Sequence, residues 1–134
     1  MIGQLPNDVL EAVLETLPIE FSVLDANDQV VAWNKHDTRI FKRPTNTLGL
    51  NVRNCHPHHS LHKVETILLE MRQGTRDKAR FWIDLHLEGI EAPQKILIEY
   101  YALRDQEGTY LGCLEASQNI TITQAITGEQ RLLD

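Results

Sequence analysis

Asp105-Gln106-Glu107-Gly108 separates two long, largely apolar runs, and this junction limits the fold more than any other feature of the chain. A run of turn formers ending in glycine closes a hairpin. Gln94–Arg104 and Thr109–Gln118 are therefore expected to be antiparallel strands. The first carries Ile96, Ile98 and Tyr100 at one parity and Leu97, Tyr101 and Leu103 at the other. Apolar residues at both parities mark a strand covered on both faces. The second run has no clear parity, so the facing of Cys113 stays open, with a buried inert thiol as the default. Upstream, Ala79–Leu87 alternates cleanly. Ala79, Phe81, Ile83, Leu85 and Leu87 point one way and Arg80, Trp82, Asp84 and His86 the other. An exposed Trp82 needs a cover, from the N-terminal helix or from a partner chain.

Two shorter strands, Glu20–Leu24 and Gln29–Asn34, flank the turn formers Asp25-Ala26-Asn27-Asp28. In the second, Val31 and Trp33 share one face and Val30 and Ala32 the other. Before them, Leu5–Leu17 reads as an amphipathic helix ended by Pro18. Asn7 or Asp8 can cap it, with Glu11 at capping-box spacing from Asp8. Its stripe of Leu10, Val13, Leu14 and Leu17 is expected to pack on its own domain, with pairing to a second subunit as the alternative. Residues 36–54 read as loops and short helical turns. Arg39, Lys42, Arg43 and Arg53 make them locally basic. Either this is a solvated surface, or Arg39 or Arg43 meets an anionic ligand group such as a carboxylate.

Pro57–Arg72 is the clearest helix, with Leu61, Val64, Ile67, Leu68 and Met71 as its stripe and Gly74 as its C-cap. Its start concentrates soft-ligand chemistry. Asn54-Cys55-His56-Pro57-His58-His59-Ser60-Leu61-His62 holds one of two cysteines and four of six histidines. Helical spacing puts His58 or His59 on a face with His62, and Cys55 and His56 at the helix mouth, where the dipole favours a thiolate. A metal, haem or redox site is one reading of this stretch, and a solvated helix start is the other.

The order is a helix, two strands, a helical middle and three antiparallel strands. The middle crossover lets the early hairpin join the later sheet. This is an α+β fold, a five-stranded antiparallel sheet with helices on one face and an N-terminal amphipathic helix. A pocket is expected between the sheet and helix 57–72. At 134 residues the chain is one domain, long enough for a core without disulfides. The net charge of −6 and the absence of a basic run argue against nucleic-acid binding. Two distant cysteines make no disulfide framework. With no signal-peptide pattern and no stretch of transmembrane length, a cytoplasmic location away from membranes is expected.

The chain resembles PAS domains. The features that carry this are the first hairpin ending at Asn34, the Gly49 loop, and the run from Arg104-Asp105-x-x-Gly108 to Gln118-Asn119-Ile120-Thr121. Asn119 stands where many members carry aspartate, and Asp28 where the first hairpin often has glycine. One subfamily is closer still, the PAS domains found C-terminal to a hemerythrin-like domain in prokaryotic proteins. The resemblance runs from about Leu10 onward. It rests on Arg39-Ile40-Phe41, Arg43-Pro44, Asn54-Cys55-His56-Pro57, Ser60, His62, Phe81-Trp82-Ile83, Tyr110-Leu111-Gly112 and Gly128-Glu129-x-Arg131-Leu132-Leu133. His58 and His59 replace the subfamily's usual Pro-Lys. The resemblance divides the chain into an N-terminal helix (1–18), a PAS core (19–120) and a C-terminal signalling tail (121–134). It implies a sensory or ligand-binding module, usually dimeric and not an enzyme. It also implies a piece of a longer protein, with a hemerythrin-like domain as its N-terminal partner.

Three functions are weighed. The first is a sensor of a small pocket ligand, with haem the leading cofactor. His56, Cys55 and His62, in that order, would be the metal ligands, and Phe81, Ile83 and Ile98 the apolar wall. The second is a cofactor-free homodimerisation or protein-interaction module using Leu10, Val13, Leu14 and Trp82. The third, an enzyme using a Cys55–His56 pair, lacks an orienting carboxylate and an oxyanion hole. Light-sensing flavin domains follow their Asn-Cys with Arg-Phe-Leu-Gln. Here His56-Pro57-His58-His59 follows, so a photoreactive flavin is not expected. Four zinc ligands from so short a stretch would strain tetrahedral geometry.

Overall fold

The computed structural model describes residues 1–133. Its elements are α1 (Asn7–Thr16), β1 (Glu20–Asp25), β2 (Val30–Trp33), α2 (His58–Gln73), β3 (Lys78–Leu85), β4 (Gln94–Arg104) and β5 (Tyr110–Asn119), with three short 3₁₀ turns. The strands form one antiparallel sheet in the order β2-β1-β5-β4-β3. The C-terminal meander forms as the Asp105–Gly108 junction requires, and the crossover brings β1 against β5. The tail reading of 121–134 ends at a residue outside those described; its described part holds one 3₁₀ turn, Thr123–Ala125.

The core lies between the inner sheet face and α2. Val64, Leu68 and Met71 of α2 are buried against Leu24, Val30, Ile96, Tyr100 and Cys113. Cys113 is fully buried on this inner face, which resolves its parity. Gly74 takes φ +79° at the C-cap of α2, the left-handed conformation that glycine adopts without cost. Gly112, at φ +148°, has no room for a side chain, because a Cβ there would overlap Leu24 O. β1 and β5 close on each other at that point.

Four expectations are corrected. The first concerns α1, which does not pack its stripe on its own domain: none of its residues is buried, and Leu10, Val13 and Leu14 are all exposed. Its N-cap is Pro6, and no capping box forms, because Asp8 Oδ1 accepts from the adjacent Val9 N. In the second, the two faces of β2 do not alternate as expected. A register shift against β1 turns both Val30 and Trp33 toward the core and leaves Val31 and Ala32 exposed. The third is the end of β3 at Leu85, so His86 and Leu87 leave the ladder and join a loop. Finally, Pro57 is the N-cap of α2 and lies outside the helix. Trp82 is 64% exposed, with no cover from this chain.

Asn34 and Asp28 hold the frame. Asn34 is 1% exposed. Its Oδ1 accepts from Phe21 N (2.7 Å), and its Nδ2 donates to Leu14 O (2.8 Å) and Ile19 O (3.1 Å). It ties the C-terminal end of α1 to the start of β1. Asp28 takes φ +63° in the hairpin, and its buried carboxylate accepts from Arg53 (3.0 Å) and Arg72 (2.6 Å). The hairpin, the middle segment and α2 meet at that carboxylate.

Candidate functional site

Strand register sets the floor of the site. Ser22 pairs with Glu115, and Glu115 with Tyr100. Two residues further along, on the same face, Glu20 pairs with Ser117, Ser117 with Ile98, and Ile98 with Phe81. Side chains in one register row share a face, so a polar band crosses the middle of the inner sheet face. Above it lies a cavity of about 1230 Å³, roofed by residues 37–43, by residues 55–57 with His59 and Ser60, and by Lys63, Val64 and Ile67 of α2. Ile83, Ile98 and Leu85 give it an apolar end. Phe81 and Tyr100 meet there edge to face, 5.4 Å between centroids.

The locally basic segment is used inside the molecule. Arg39 is 6% exposed. Its Nε donates to Phe41 O, its Nη1 to Phe21 O and Asn34 O, and its Nη2 to Ser22 Oγ, all at 2.9–3.1 Å. Nη2 also lies 3.6 Å from Glu20 Oε1. Glu20 in turn accepts from Ile40 N (2.6 Å) and Phe41 N (3.1 Å). A buried ion pair is tolerable when further hydrogen bonds surround it, and this one straps the 37–43 loop to β1. Arg43 donates through Nε to Ser22 Oγ and through Nη2 to Glu115 Oε2, both at 2.9 Å. The expectation that Arg39 or Arg43 meets a ligand carboxylate is corrected for Arg39. It makes four hydrogen bonds within the protein and an ion pair with Glu20. Arg43 lines the cavity already neutralised by Glu115.

Glu115 is the residue that sequence reading missed. Its side chain is 11% exposed. Oε1 is closed to solvent and has no hydrogen-bond partner among the described residues. Burial pushes its carboxyl up from the ordinary range, opposed by Arg43 and Arg39. Burial likewise raises the Tyr100 hydroxyl far above its usual range, so that group stays protonated. No motif surrounds Glu115; only the register with Ser22 and Tyr100 shows its place.

The soft-ligand stretch is divided. Cys55 and His56 line the cavity, as does His59. His56 Nδ1 lies 3.0 Å from Ser60 Oγ, and burial holds the imidazole below its ordinary value. Cys55 is half-buried, and its thiol points to Asn51 O at 3.7 Å. His62 instead faces a shallow groove beside Arg76, Ala79 and Arg80 of the β3 side. The structure therefore does not bring the three together. Among the described residues no cluster of three or more His, Cys, Asp or Glu could hold a metal ion. Of the expected apolar wall, Phe81, Ile83 and Ile98 all line the cavity. No helix among the described residues is long and apolar enough to cross a membrane.

Against known proteins, a family model described as "PAS domain" matches residues 10–121. No match is found among curated proteins. Among solved structures, a C-terminal domain from Streptococcus mutans aligns at 30% identity and a TM-score of 0.81, covering 92% of each chain. The PAS domain of BvgS from Bordetella pertussis aligns at 15% identity and 0.62, covering 85% of each. VqmA of Vibrio cholerae, solved with ligand and DNA, aligns at 14% and 0.61, covering 98% of this chain and 62% of its own.

Proposed function

This chain belongs to the PAS domain family, a family of sensory signalling modules, and we propose that it senses a small organic molecule bound in the cavity between the sheet and α2. The observation that carries this is the cavity itself. It has the size and mixed lining of a ligand site, an apolar wall with a few convergent polar groups. A ligand-bound VqmA of the same fold is in keeping with it. Reading the chain as a sensor and not an enzyme is in keeping with its family, whose members are sensory and regulatory modules. The test is native mass spectrometry of the domain purified without denaturation, compared with Ser117→Trp, which fills the cavity floor. A ligand mass held by the first and absent from the second is expected. Two identical apo spectra, with no binder from a panel of small aromatic metabolites, would overturn the reading.

Haem is the second reading, favoured by one observation. His56 lines the cavity, its Nδ1 is held by Ser60, and its lowered pKa keeps the imidazole neutral at neutral pH, the form an axial ligand needs. His56 would be the axial residue and Cys55 its neighbour; His62 stands outside. Haem titration of the wild type and of His56→Ala, read in the visible spectrum, decides it. A shifted band of one haem per chain that His56→Ala abolishes supports this reading, and equal spectra rule it out.

We further propose a homodimer through the uncovered α1 stripe and Trp82, supported by 39%, 42%, 36% and 64% exposure of Leu10, Val13, Leu14 and Trp82. Sedimentation across a dilution series should show Val13→Ser and Trp82→Ala weakening self-association; a monomeric wild type would remove the proposal. In the natural protein the domain is proposed to work in the cytoplasm, C-terminal to a hemerythrin-like domain and signalling through the tail beyond residue 120. That placement is supported by the subfamily motifs and by the Streptococcus mutans neighbour being a C-terminal domain.

A further inference from the structure

We infer that the cavity takes an uncharged molecule with an apolar body and a hydrogen-bond acceptor of the carbonyl kind, and that the Tyr100 hydroxyl donates to that acceptor. This rests on the cavity-ligand reading above and names the chemistry of its occupant.

Tyr100 is only 4% exposed and lines the cavity. Its ring is held by the edge-to-face contact with Phe81. Its hydroxyl has no hydrogen-bond partner among the described residues, yet it is not closed to solvent as Tyr110 Oη and Glu115 Oε1 are. Tyr100 stands on the inner face of β4, a strand flanked by β5 and β3, so the surface its hydroxyl keeps opens into the cavity. A nearly buried side chain whose polar end is left open is rare. A phenol donates better than it accepts, because an oxygen lone pair is drawn into the ring. A ligand acceptor therefore completes it. Beside it, Ile83 is 37% exposed although it too belongs to the inner face, so the cavity leaves apolar surface for a ligand body to cover. The charges near the floor are matched, Arg39 with Glu20 and Arg43 with Glu115. Around the cavity, Lys42 and Lys63 are offset by Asp37 and Glu88. A ligand carboxylate on Tyr100 would stand near Glu115 with no spare cation, where desolvation is costly.

The test titrates three probes of near-identical shape into the whole chain and follows amide NMR shifts. Acetophenone carries the acceptor, α-methylstyrene has a carbon in place of that oxygen, and benzoate adds a charge. The affinity of acetophenone relative to α-methylstyrene cancels what the shared ring contributes. In Tyr100→Phe that ratio is expected to fall about tenfold, because only the ketone loses a donor. The variant deletes a hydroxyl with no protein partner, so it should melt at or above the wild-type temperature. Benzoate is expected to bind at least tenfold more weakly than acetophenone to the wild type. A ratio within twofold of wild type, or a preference for benzoate, refutes this inference and leaves the cavity reading standing. So does a Tyr100→Phe chain that melts early or fails to fold, since the hydroxyl would then serve the protein itself. Binding that persists in Ser117→Trp places the probes outside the cavity and likewise refutes this inference. If none of the three probes binds, the inference falls, and the native mass spectra decide the cavity reading separately.

Discussion

Replacing Asn34 tests how α1 is held. With no buried residue in α1, its attachment rests on polar contacts at its end. The two Asn34 Nδ2 bonds and the Lys35 contacts to Glu15 are chief among them. Asn34→Ala removes three hydrogen bonds at a site that is 1% exposed. Each bond is worth about 1 kcal/mol net, and each partner left buried without water costs more. The sum is about 2–4 kcal/mol. Unfolding entropy near 2.1 cal/mol/K per residue gives about 0.28 kcal/mol/K over 134 residues, so about 3 kcal/mol lowers Tm by roughly 10 °C. Asn34→Asp sharpens the argument. It keeps the acceptor for Phe21 N but turns an oxygen toward Leu14 O and Ile19 O, where Nδ2 donated. It should cost at least as much as alanine, despite near-identical shape. Urea and thermal melts measure the loss. Hydrogen exchange should show α1 amides opening before the sheet in both variants, because α1 then has little left to hold it. An Asn34→Asp protein within 0.5 kcal/mol of wild type, with unchanged α1 protection, would refute the reasoning.

Three further outcomes are expected. Gly112→Ala should lose about 2–5 kcal/mol, from a disfavoured φ and overlap with Leu24 O; a near-neutral melt would contradict the tight β1–β5 approach. A thiol reagent at pH 8 should label one cysteine per folded chain and two in denaturant, because Cys113 is fully buried with its thiol pushed up to about 12 while Cys55 is half-buried; two fast thiols in the folded chain would contradict it. Burial lowers the His56 pKa from 6.5, so the unfolded chain binds that proton at a higher pH than the folded one. The stability this gives is complete above the unfolded value, and it is lost as pH falls from there to the folded value. His56→Gln should therefore flatten the acid limb of stability below about pH 6.5, and an unchanged slope in denaturant midpoints would contradict it.

The strands were legible because their signals are local. Alternation from Ala79 to Leu85, and turn formers at Asp105–Gly108, need no knowledge of the rest of the chain. β4 falls on the residues its pattern marks, Gln94–Arg104. α1 was legible as a helix and not as a packed one, since a stripe of Leu10, Val13 and Leu14 records amphipathicity but not what lies beneath. β2 was misread because periodicity assumes an unbroken ladder, and the shift opposite Val23 and Leu24 breaks it. The site was half legible. Cys55 and His56 drew attention by residue type, and Phe81 by its motif. Glu115 had neither, being one acidic residue in a strand of unclear parity. Its meaning comes from Ser22 and Arg43, 93 and 72 positions away. Arg39 shows the converse: its charge pointed to a ligand, yet Glu20 and three backbone carbonyls use it first.

The two walls of the cavity differ in what holds them, and that difference bears on sensing. The floor is a five-stranded sheet with a backbone ladder along each pairing, and it opens only with the whole domain. The roof formed by residues 37–43 is held by side chains: Glu20 on two backbone amides, Arg39 on three carbonyls, Arg43 on Ser22 and Glu115. Charged hydrogen bonds of this kind are worth about 1.5–3 kcal/mol each. A small ligand shifts an equilibrium only by its differential affinity for the two states, and binding that differs tenfold to a hundredfold supplies about 1.4–2.8 kcal/mol. That is enough to exchange the Arg43–Glu115 contact for a ligand contact and far too little to open the sheet. Of the contacts that hold the roof, the single Arg43–Glu115 pair is therefore the one within reach of a bound molecule, while the Glu20 and Arg39 bonds keep the rest in place.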